Sequence, residues 1–519
     1  MTPRKKIFYN VVATYGRSLY ALFLGVFTAR WALNALGQVD YGLAGVVGGL
    51  VGFVAFLNGL LSFSVSRFYA VNVGAEIKSC DKNAAIEECR KWFNTALLIH
   101  TVVPILLLVI GYPLGEWAVR CFLTIPGERI YDCVWVWRFT CCSCFIGMVS
   151  VPFNAMYGAK QDIAELTIYS FITSTLNALF LYYMITHPRV WLLRYSLWCC
   201  LISIIPSIIQ MVRSFIKYPE CRFNHKYLYD KYRLKEITVF GLARFWTMFS
   251  NVISGQGNAI LVNKYLGPAF NASMSLGRTV VAHASTLSGA LTGAFSPAIM
   301  NAAGEGDPEK VRRLSFQLCR IGTLLMLIFA IPLGLEIEEV LILWLKTPPP
   351  FVAELVIAVL IDSIFERMTE GLYMPIIALG KGMARYSWWA GWCGMSRFAI
   401  AWLLLCFGMG LYGICASLIA ARVIVVLMRL YMGCKLSGMS PSHWIKKVLF
   451  PIGLAAVVTA TTGMLTRPMS PSFLRVLLTT LVCEVTLLPT SWFLILSDSE
   501  RTMVLKRVSS LLGKMKATI

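Results

Sequence analysis

The sequence predicts an all-α integral membrane protein with about fourteen transmembrane helices. Of its 519 residues, 57% are hydrophobic and only 14% are charged, and the mean hydropathy is +0.68. These values lie far from those of a soluble domain. The net charge of +21 does not indicate a nucleic-acid-binding protein, because Lys and Arg lie mostly in short segments between long apolar runs.

A helix needs about 20 mainly apolar residues to cross a membrane, and fourteen segments meet that requirement. The predicted spans are residues 9–33, 42–64, 93–115, 132–156, 163–186, 191–213, 237–262, 270–299, 315–340, 352–378, 387–407, 411–432, 447–465 and 473–496. The basic start followed by an apolar run is similar to a signal peptide. The run continues to Thr28 without a small-residue cleavage site, so we interpret it as an uncleaved first span.

The distribution of positive charge predicts the orientation of these spans. Segments rich in Lys and Arg favour the cytoplasmic side, and they alternate with poorly charged segments if the N-terminus is cytoplasmic. An even number of spans then places both termini in the cytoplasm. After the last span, Val504, Leu511 and Met515 share one helical face and the lysines lie away from it, which predicts a helix on the inner membrane surface.

Short motifs recur at a nearly constant offset along the chain. Similar segments begin at Pro152 and at Pro375, and Leu-Gly pairs end at Gly37 and at Gly267. Each offset corresponds to six spans, which predicts two pseudo-symmetric six-helix lobes related by an axis along the membrane normal. The predicted organisation is an N-terminal lobe (1–213), a cytoplasmic linker (214–236), a C-terminal lobe (237–432), two further helices (433–496) and a basic amphipathic tail (497–519).

Two stretches carry a resemblance to a known family. Residues 29–68 (ARWALNALGQVDYGLAGVVGGLVGFVAFLNGLLSFSVSRF) and residues 256–301, with LVNKYLGPAFNA and SPAIMNAAGEGD, resemble the polysaccharide-biosynthesis branch of the multidrug/oligosaccharidyl-lipid/polysaccharide (MOP) flippase superfamily. That branch includes the Wzx-type O-antigen flippases. The resemblance implies a MATE-like fold and extends over nearly the whole chain, with motifs of helix packing and hinges.

The resemblance also implies a function. The chain would move an undecaprenyl-pyrophosphate-linked oligosaccharide across the bacterial cytoplasmic membrane by alternating access, for assembly of O-antigen, capsule or exopolysaccharide. Its partners would be this lipid-linked oligosaccharide, membrane lipids and polysaccharide assembly proteins, with no nucleic acid. On this interpretation the protein is a transporter and has no enzymatic activity. Relatives accept the pyrophosphate in a central cavity lined by basic residues.

Arginine is the basic residue found inside or at the margins of the predicted spans. An arginine at the centre of a span costs roughly 2.5 to 3.5 kcal/mol, so it normally faces protein or a wet cavity. Positions near span ends favour an interfacial location for Arg30, Arg320, Arg422 and Arg429. The other arginines inside or at the margins of the spans are Arg138, Arg367, Arg397 and three further residues. Those three are Arg17, Arg244 and Arg278, in spans that would line the cleft of the family. Since a guanidinium fork suits phosphate oxygens, they are the candidate pyrophosphate ligands.

Span ten carries a stripe of carboxylates. Asp362, Glu366 and Glu370 are four residues apart and therefore share one helical face. One interpretation is that they neutralise arginines and fix helix packing. The other is that one of them, Glu366 first, binds and releases H⁺ or Na⁺ during the cycle. No metal and no cofactor is expected, because the cysteines lack histidines at ligand spacing.

Four residues are predicted to act as hinges or bends: Gly267, Pro268, Pro152 and Pro375. Two other functions compete with the flippase. A cation-coupled multidrug exporter of the same superfamily would need carboxylates in its cleft, whereas the first span supplies Arg17 and Arg30. An envelope glycan polymerase, ligase or lipid-linked glycosyltransferase usually has a large outer loop or an Asp-x-Asp motif, and neither is found in this sequence.

Overall fold

A computed structural model describes residues 3–52, 59, 62, 65, 68–69, 82–160, 162–187, 189–242, 245–286, 288–289, 291–292, 295, 299, 302, 307–379, 382–498 and 500–502. Within these residues the regular structure is entirely helical. Hydrophobic side chains cover much of the helical surface. This distribution is expected for helices that contact lipid.

Seventeen α-helices are defined within the described residues. In the first half they are α1 (Pro3–Gly49), α2 (Lys82–Trp117), α3 (Ile130–Ala159), α4 (Ile163–Thr186), α5 (Leu192–Lys217), α6 (Lys231–Leu242), α7 (Phe245–Val252), α8 (Asn258–Leu266) and α9 (Pro268–Ala284). The second half contains α10 (Pro308–Leu335), α11 (Ile337–Leu345), α12 (Val352–Leu379), α13 (Met383–Cys406), α14 (Gly410–Ser437), α15 (Pro441–Trp444), α16 (Phe450–Gly463) and α17 (Phe473–Leu494). Short π-helical stretches extend some of these helices, as at Ile253–Gly257 and Ile445–Leu449.

Nine helical segments of the described chain are long and apolar enough to cross a membrane. They correspond to predicted spans three to six, nine and eleven to fourteen. The chain is therefore a multi-pass membrane protein, and the predicted all-α membrane fold class is confirmed. Helix α12 is long enough to span a membrane, but four charged residues lie close together in its centre and it is not one of the nine. The count of fourteen spans stays a prediction.

The internal repeat is visible in the helix bounds. Helix α4 and its equivalent α13 both contain 24 residues. Helix α3 begins at Ile130 and α12 at Val352, and helix α5 ends at Lys217 and α14 at Ser437. The separation in the chain is nearly the same for all three pairs. These three consecutive helices of the first half and their equivalents in the second half therefore have the same order and similar lengths.

Two glycines interrupt the helices at equivalent places in the repeat. Gly37 within α1 has φ 76° and ψ 169°, and Gly267 between α8 and α9 has φ 94° and ψ 173°. This region of backbone space is essentially limited to glycine. The sequence pairing of Gly37 with Gly267 thus corresponds to the same backbone conformation at both sites. Pro268 follows directly and begins α9, where its fixed φ suits the first helical turn.

The described chain packs as two compact units. The first consists of residues 1–276, 349–351 and 390–414, and the second of residues 277–348, 352–389 and 415–519. These units are defined by packing and not by the repeat, so the predicted lobe boundaries at 213, 237 and 432 stay a prediction. Helices α9, α13 and α14 contribute residues to both units.

In the first unit, α1 packs on α4, α3 packs on α5, and α2 packs on α3. The contact between α2 and α3 depends on Gly115, because a Cβ added there would lie 2.2 Å from the indole of Trp137. The Trp137 Nε1 donates a hydrogen bond of 3.0 Å to the carbonyl oxygen of Tyr112. A fully buried tryptophan and a glycine therefore set the spacing of these two helices.

In the second unit, α10 packs on α12, and α16 and α17 pack on each other and on α10. Gly371 allows the first of these contacts, because its added Cβ would lie 2.0 Å from the carbonyl oxygen of Ser315. Helix α14 approaches α12 at Gly433, whose added Cβ would lie 2.7 Å from the carbonyl oxygen of Leu372. The polar residues of α12 lie on the N-terminal side of these crossings.

Candidate functional site

The centre of the candidate site is an ion pair between α12 and α14. Arg422 donates from Nε to Asp362 Oδ1 and from Nη2 to Asp362 Oδ2, both at 2.7 Å. The two side chains are only 8% and 9% exposed. Two parallel charge-assisted hydrogen bonds match the planar guanidinium to the carboxylate. This geometry fixes the rotation of α14 relative to α12.

Glu366 lies one helical turn beyond Asp362 and is the accessible carboxylate of the cluster. Its Oε2 accepts a hydrogen bond of 3.1 Å from Arg422 Nη2, and its Oε1 lies 4.0 Å from Arg429 Nη2. The Glu366 side chain remains 44% exposed. It therefore combines ion-pair partners with access from outside the helix pair, which no other carboxylate in this cluster does to the same extent.

Arg429 extends the cluster by two turns along α14. Its Nη1 donates to Thr369 Oγ1 at 3.0 Å and to the carbonyl oxygen of Glu366 at 3.4 Å. The guanidinium carbon lies 5.2 Å from the centre of the Tyr373 ring. Its Nε is buried without a hydrogen-bond partner among the described residues. The side chain is held by three residues of α12, so it also contributes to helix registration.

The third carboxylate of the stripe is paired within its own helix. Arg367 Nη1 donates to Glu370 Oε2 at 2.7 Å, three residues along α12. The two side chains are 19% and 13% exposed. Asp362, Glu366 and Glu370 thus share one face of α12 with charged partners, as their spacing predicts. The pairing itself fits the interpretation that the stripe neutralises arginines.

The interfacial location predicted for Arg320 and Arg422 is wrong. Both residues are buried, at 9% and 7% exposure, and each contacts a carboxylate. Arg320 Nη2 donates to Glu500 Oε1 at 2.7 Å, across 180 positions of the chain. Proximity to a span end suggested that these side chains reach the membrane surface, but an acidic partner on another helix or on the C-terminal segment holds them inside the protein.

The three candidate pyrophosphate ligands are placed as follows. Arg17 is exposed on α1 in the first unit, and Arg278 is exposed on α9 in the second unit. Arg244 lies outside the described residues. Their proposed contact with pyrophosphate stays a prediction. Arg138, a further arginine of the predicted spans, lies 3.4 Å from Glu116 and 5.0 Å from the Trp135 ring centre, so it has protein partners on α2 and α3.

The predicted hinges have different local structures. Gly267 ends a helix and Pro268 begins the next one. In contrast, Pro152 lies inside α3, which continues to Ala159, and Pro375 lies inside α12, which continues to Leu379. Both of these prolines are buried. Their role in motion stays a prediction.

An uncharged cavity in the first unit was not anticipated from the sequence. It has a volume of about 380 Å³ and lies between α1, α3, α5 and α9. Its polar lining consists of Tyr41, Thr140, Ser143, Tyr195, Ser196, Cys199, Cys200, Ser203 and Ser275. Residues 196, 199, 200 and 203 of α5 follow a helical spacing of three and four residues, which is the signal that identifies a common face. The cysteines in this run suggested packing only.

Comparisons with known proteins support the fold. No family model matches the chain, and no curated protein matches it in sequence. Among solved structures, the lipid II flippase MurJ in an inward closed conformation matches with a TM-score of 0.64 at 15% identity, over 93% of this chain and 97% of the flippase.

Two multidrug transporters also match. An inward-facing MATE-family transporter of the MOP superfamily matches with a TM-score of 0.60 at 16% identity, over 82% of this chain and 96% of that one. The MATE multidrug transporter DinF-BH matches with a TM-score of 0.57 at 14% identity, over 85% and 98%. The chain therefore has the fold of MOP-superfamily transporters. Identities this low establish the fold and not the substrate.

Proposed function

We propose that this protein is a flippase that moves an undecaprenyl-pyrophosphate-linked oligosaccharide from the inner to the outer leaflet of a bacterial cytoplasmic membrane. Transport would proceed by alternating access and would serve surface polysaccharide assembly. The Wzx-type branch suggested by residues 29–68 and 256–301 supplies this substrate class. The protein would have both termini in the cytoplasm, work with polysaccharide assembly proteins, and catalyse no covalent reaction.

The observation that carries the proposal is the extent of the structural match. The lipid II flippase matches 93% of this chain. The two MATE transporters are themselves matched over 96% and 98% of their length but match only 82% and 85% of this chain. This chain is thus longer than the multidrug transporters, and the match to the flippase includes most of the additional length. That difference favours a lipid-linked substrate over a multidrug cation.

The charges of the second unit support the same choice. A cation exporter needs carboxylates available to its substrate, whereas two of the three carboxylates of the stripe are engaged, Asp362 by Arg422 and Glu370 by Arg367, and only Glu366 stays accessible. Arginine keeps its charge at any physiological pH and suits phosphate oxygens in a low dielectric. The candidate pyrophosphate ligands in this proposal are the three arginines expected from the sequence, Arg17, Arg244 and Arg278. Helix breaks at Gly37 and Gly267 would allow the halves of α1 and of α8–α9 to change angle during the cycle.

The energetics do not require ion coupling. Each charge that crosses the membrane contributes about 2.3 kcal/mol per 100 mV. An anionic pyrophosphate leaving a cell that is negative inside moves in the favourable direction. Any H⁺ or Na⁺ coupling would then influence the direction of transport. We expect it to involve Glu366, because this residue is the exposed member of the carboxylate stripe.

The proposal is tested by deleting the gene and analysing lipid-linked sugars together with the surface polymer. We expect loss of the polymer and accumulation of its lipid-linked unit on the cytoplasmic side. Complementation with Arg278→Ala should fail at normal protein level, while Arg467→Ala, which changes an exposed arginine on a loop, should restore export. An unchanged glycan profile with altered drug sensitivity would instead identify a multidrug exporter.

A further inference from the structure

A basic cleft lies in the second unit, apart from the α12–α14 cluster. It has a volume of about 630 Å³, which falls within the roughly 300 to 1,000 Å³ typical of small-molecule sites. One wall is the first turns of α10, and the opposite wall is the segment from Gly438 to Lys447. The charged and titratable residues that line it are Asp307, Glu309, Lys310, Arg312, Arg313, Arg320, His443 and Lys447.

The acidic residues of the cleft have other roles or lie outside its interior. Asp307 caps α10 by accepting a hydrogen bond of 2.9 Å from the backbone nitrogen of Lys310. Glu309 is 87% exposed and lies 3.6 Å from Arg312, a geometry in which solvent weakens the pair. The cleft therefore keeps an excess of positive charge supplied by both of its walls.

The floor of the cleft is rigid. Arg320 is only 9% exposed, is held by Glu500 at 2.7 Å and by the Ile495 carbonyl at 3.2 Å, and has a buried Nε without a partner among the described residues. Trp444 is buried and donates a hydrogen bond of 3.0 Å to the Met368 carbonyl, which fixes the wall that carries His443 and Lys447. A floor and a wall that are held by such contacts preorganise the cleft, as a binding site for an anion requires.

The turn at Gly438 keeps this wall close to the guanidinium of Arg312. Gly438 has φ 67°, and a Cβ added there would lie 3.7 Å from Arg312 Nη1. The ring of His443 packs edge-on against Phe316 of α10, with centres 5.1 Å apart. Both walls are therefore positioned by direct contacts, and the basic side chains converge on one volume.

We propose that this cleft binds a phosphate group. Guanidinium forks recognise phosphate oxygens through paired charge-assisted hydrogen bonds. The segments that form the cleft are predicted to be cytoplasmic, where basic clusters next to the membrane attract anionic lipid headgroups. The same chemistry accepts a free polyphosphate, so the two sources are distinguished by experiment. The inference is independent of the transported substrate.

The test uses the purified full-length chain and two probes. Binding of inorganic pyrophosphate is measured by equilibrium dialysis, and retention of phosphatidylglycerol against phosphatidylcholine of the same acyl chains is measured by native mass spectrometry. Arg312→Gln with Arg313→Gln should lower affinity by about tenfold or more, and Lys447→Gln, from the other wall, by about fivefold. The matched control, Lys226→Gln with Lys231→Gln, removes two exposed charges at and just before the start of α6 in the first unit and should change the affinity less than twofold.

Each outcome decides the matter. Selective loss of phosphatidylglycerol in the cleft variants supports a lipid headgroup, and selective loss of pyrophosphate supports a soluble ligand. Equal losses in the cleft and control variants would show that surface charge alone is responsible and would overturn the proposal. Failure of both probes to bind the unmodified protein would also overturn it.

Discussion

Helices α3 and α5 in the first half of the chain and helices α12 and α14 in the second half are equivalent in the repeat, yet the polar residues between them differ in kind. The first pair borders a cavity lined by hydroxyls and thiols. The second pair is joined by the buried Arg422–Asp362 ion pair. At the offset that relates α4 to α13, Cys142 and Ile202 stand where Asp362 and Arg422 stand.

This difference shows that the repeat preserves helix length and order without preserving the chemistry between the helices. Replacing one of the uncharged side chains between α3 and α5 leaves no buried charge without compensation. Buried charges in the second unit depend on each other, since removing one partner leaves the other without compensation. The contact between α12 and α14 should therefore be more sensitive to single substitutions than the contact between α3 and α5, and the following predictions test that asymmetry.

The largest expected effect comes from Arg422→Ala. It leaves Asp362 buried without its bidentate partner and should lower the free energy of unfolding by about 3 to 5 kcal/mol, measured by denaturant unfolding in mixed micelles. The double variant Arg422→Met with Asp362→Leu should recover most of this loss, because an apolar pair of similar volume needs no compensation. A loss below about 1 kcal/mol for the single variant would contradict the assigned ion pair.

A smaller effect is expected from Gly371→Ala in α12. The new methyl group would overlap the Ser315 carbonyl oxygen, 2.0 Å away, and should cost about 1 to 3 kcal/mol by forcing α10 and α12 apart. Gly147→Ala in α3 is the control, because its Cβ would meet nothing within 4 Å. The same unfolding measurement compares them. Equal effects would show that helix propensity, and not packing, decides the outcome.

Substitutions at Gly37 and Gly267 test a feature that the two repeats share, the break in a helix at a glycine. Gly37→Ala and Gly267→Ala should each cost about 1 to 3 kcal/mol, since both positions combine positive φ with extended ψ, a region essentially limited to glycine. Gly453→Ala, which has open space and ordinary helical backbone, should be neutral or stabilising. If transport requires bending at these breaks, both variants should also slow export at matched protein level. Unequal losses of stability would indicate that the two breaks are not equivalent.

The smallest effect on stability is expected from Glu366→Gln. The side chain is 44% exposed, so its ion pairs should contribute no more than about 1 kcal/mol. If Glu366 couples transport to an ion, the variant should lose the dependence of export on pH or sodium. This is measured by lipid-linked sugar export across both conditions. Export that keeps the same dependence on pH and sodium as the unmodified protein would remove the coupling role.

The sequence predicted much of the fold and only part of the candidate site. Apolar length predicted helices such as α4, where the expected span 163–186 coincides with Ile163–Thr186. Spacing alone placed Asp362, Glu366 and Glu370 on one face. Their partners were not predictable in the same way, because Arg422 is 60 residues from Asp362. The sequence does not specify which of several helices packs against α12. The cavity beside Cys199 was missed because Ser and Cys suit both packing and a polar lining.

By itself the sequence determined the membrane class, the helical repeat and the two glycine breaks, because hydropathy and backbone sterics act within a few residues. Only the tertiary structure decided that Arg320 and Arg422 are buried and that a basic cleft forms beside α10. Those features depend on which side chains meet across elements distant in the chain. Residue spacing specifies which face of a helix a charge occupies, but the packing of the helices decides what that face contacts.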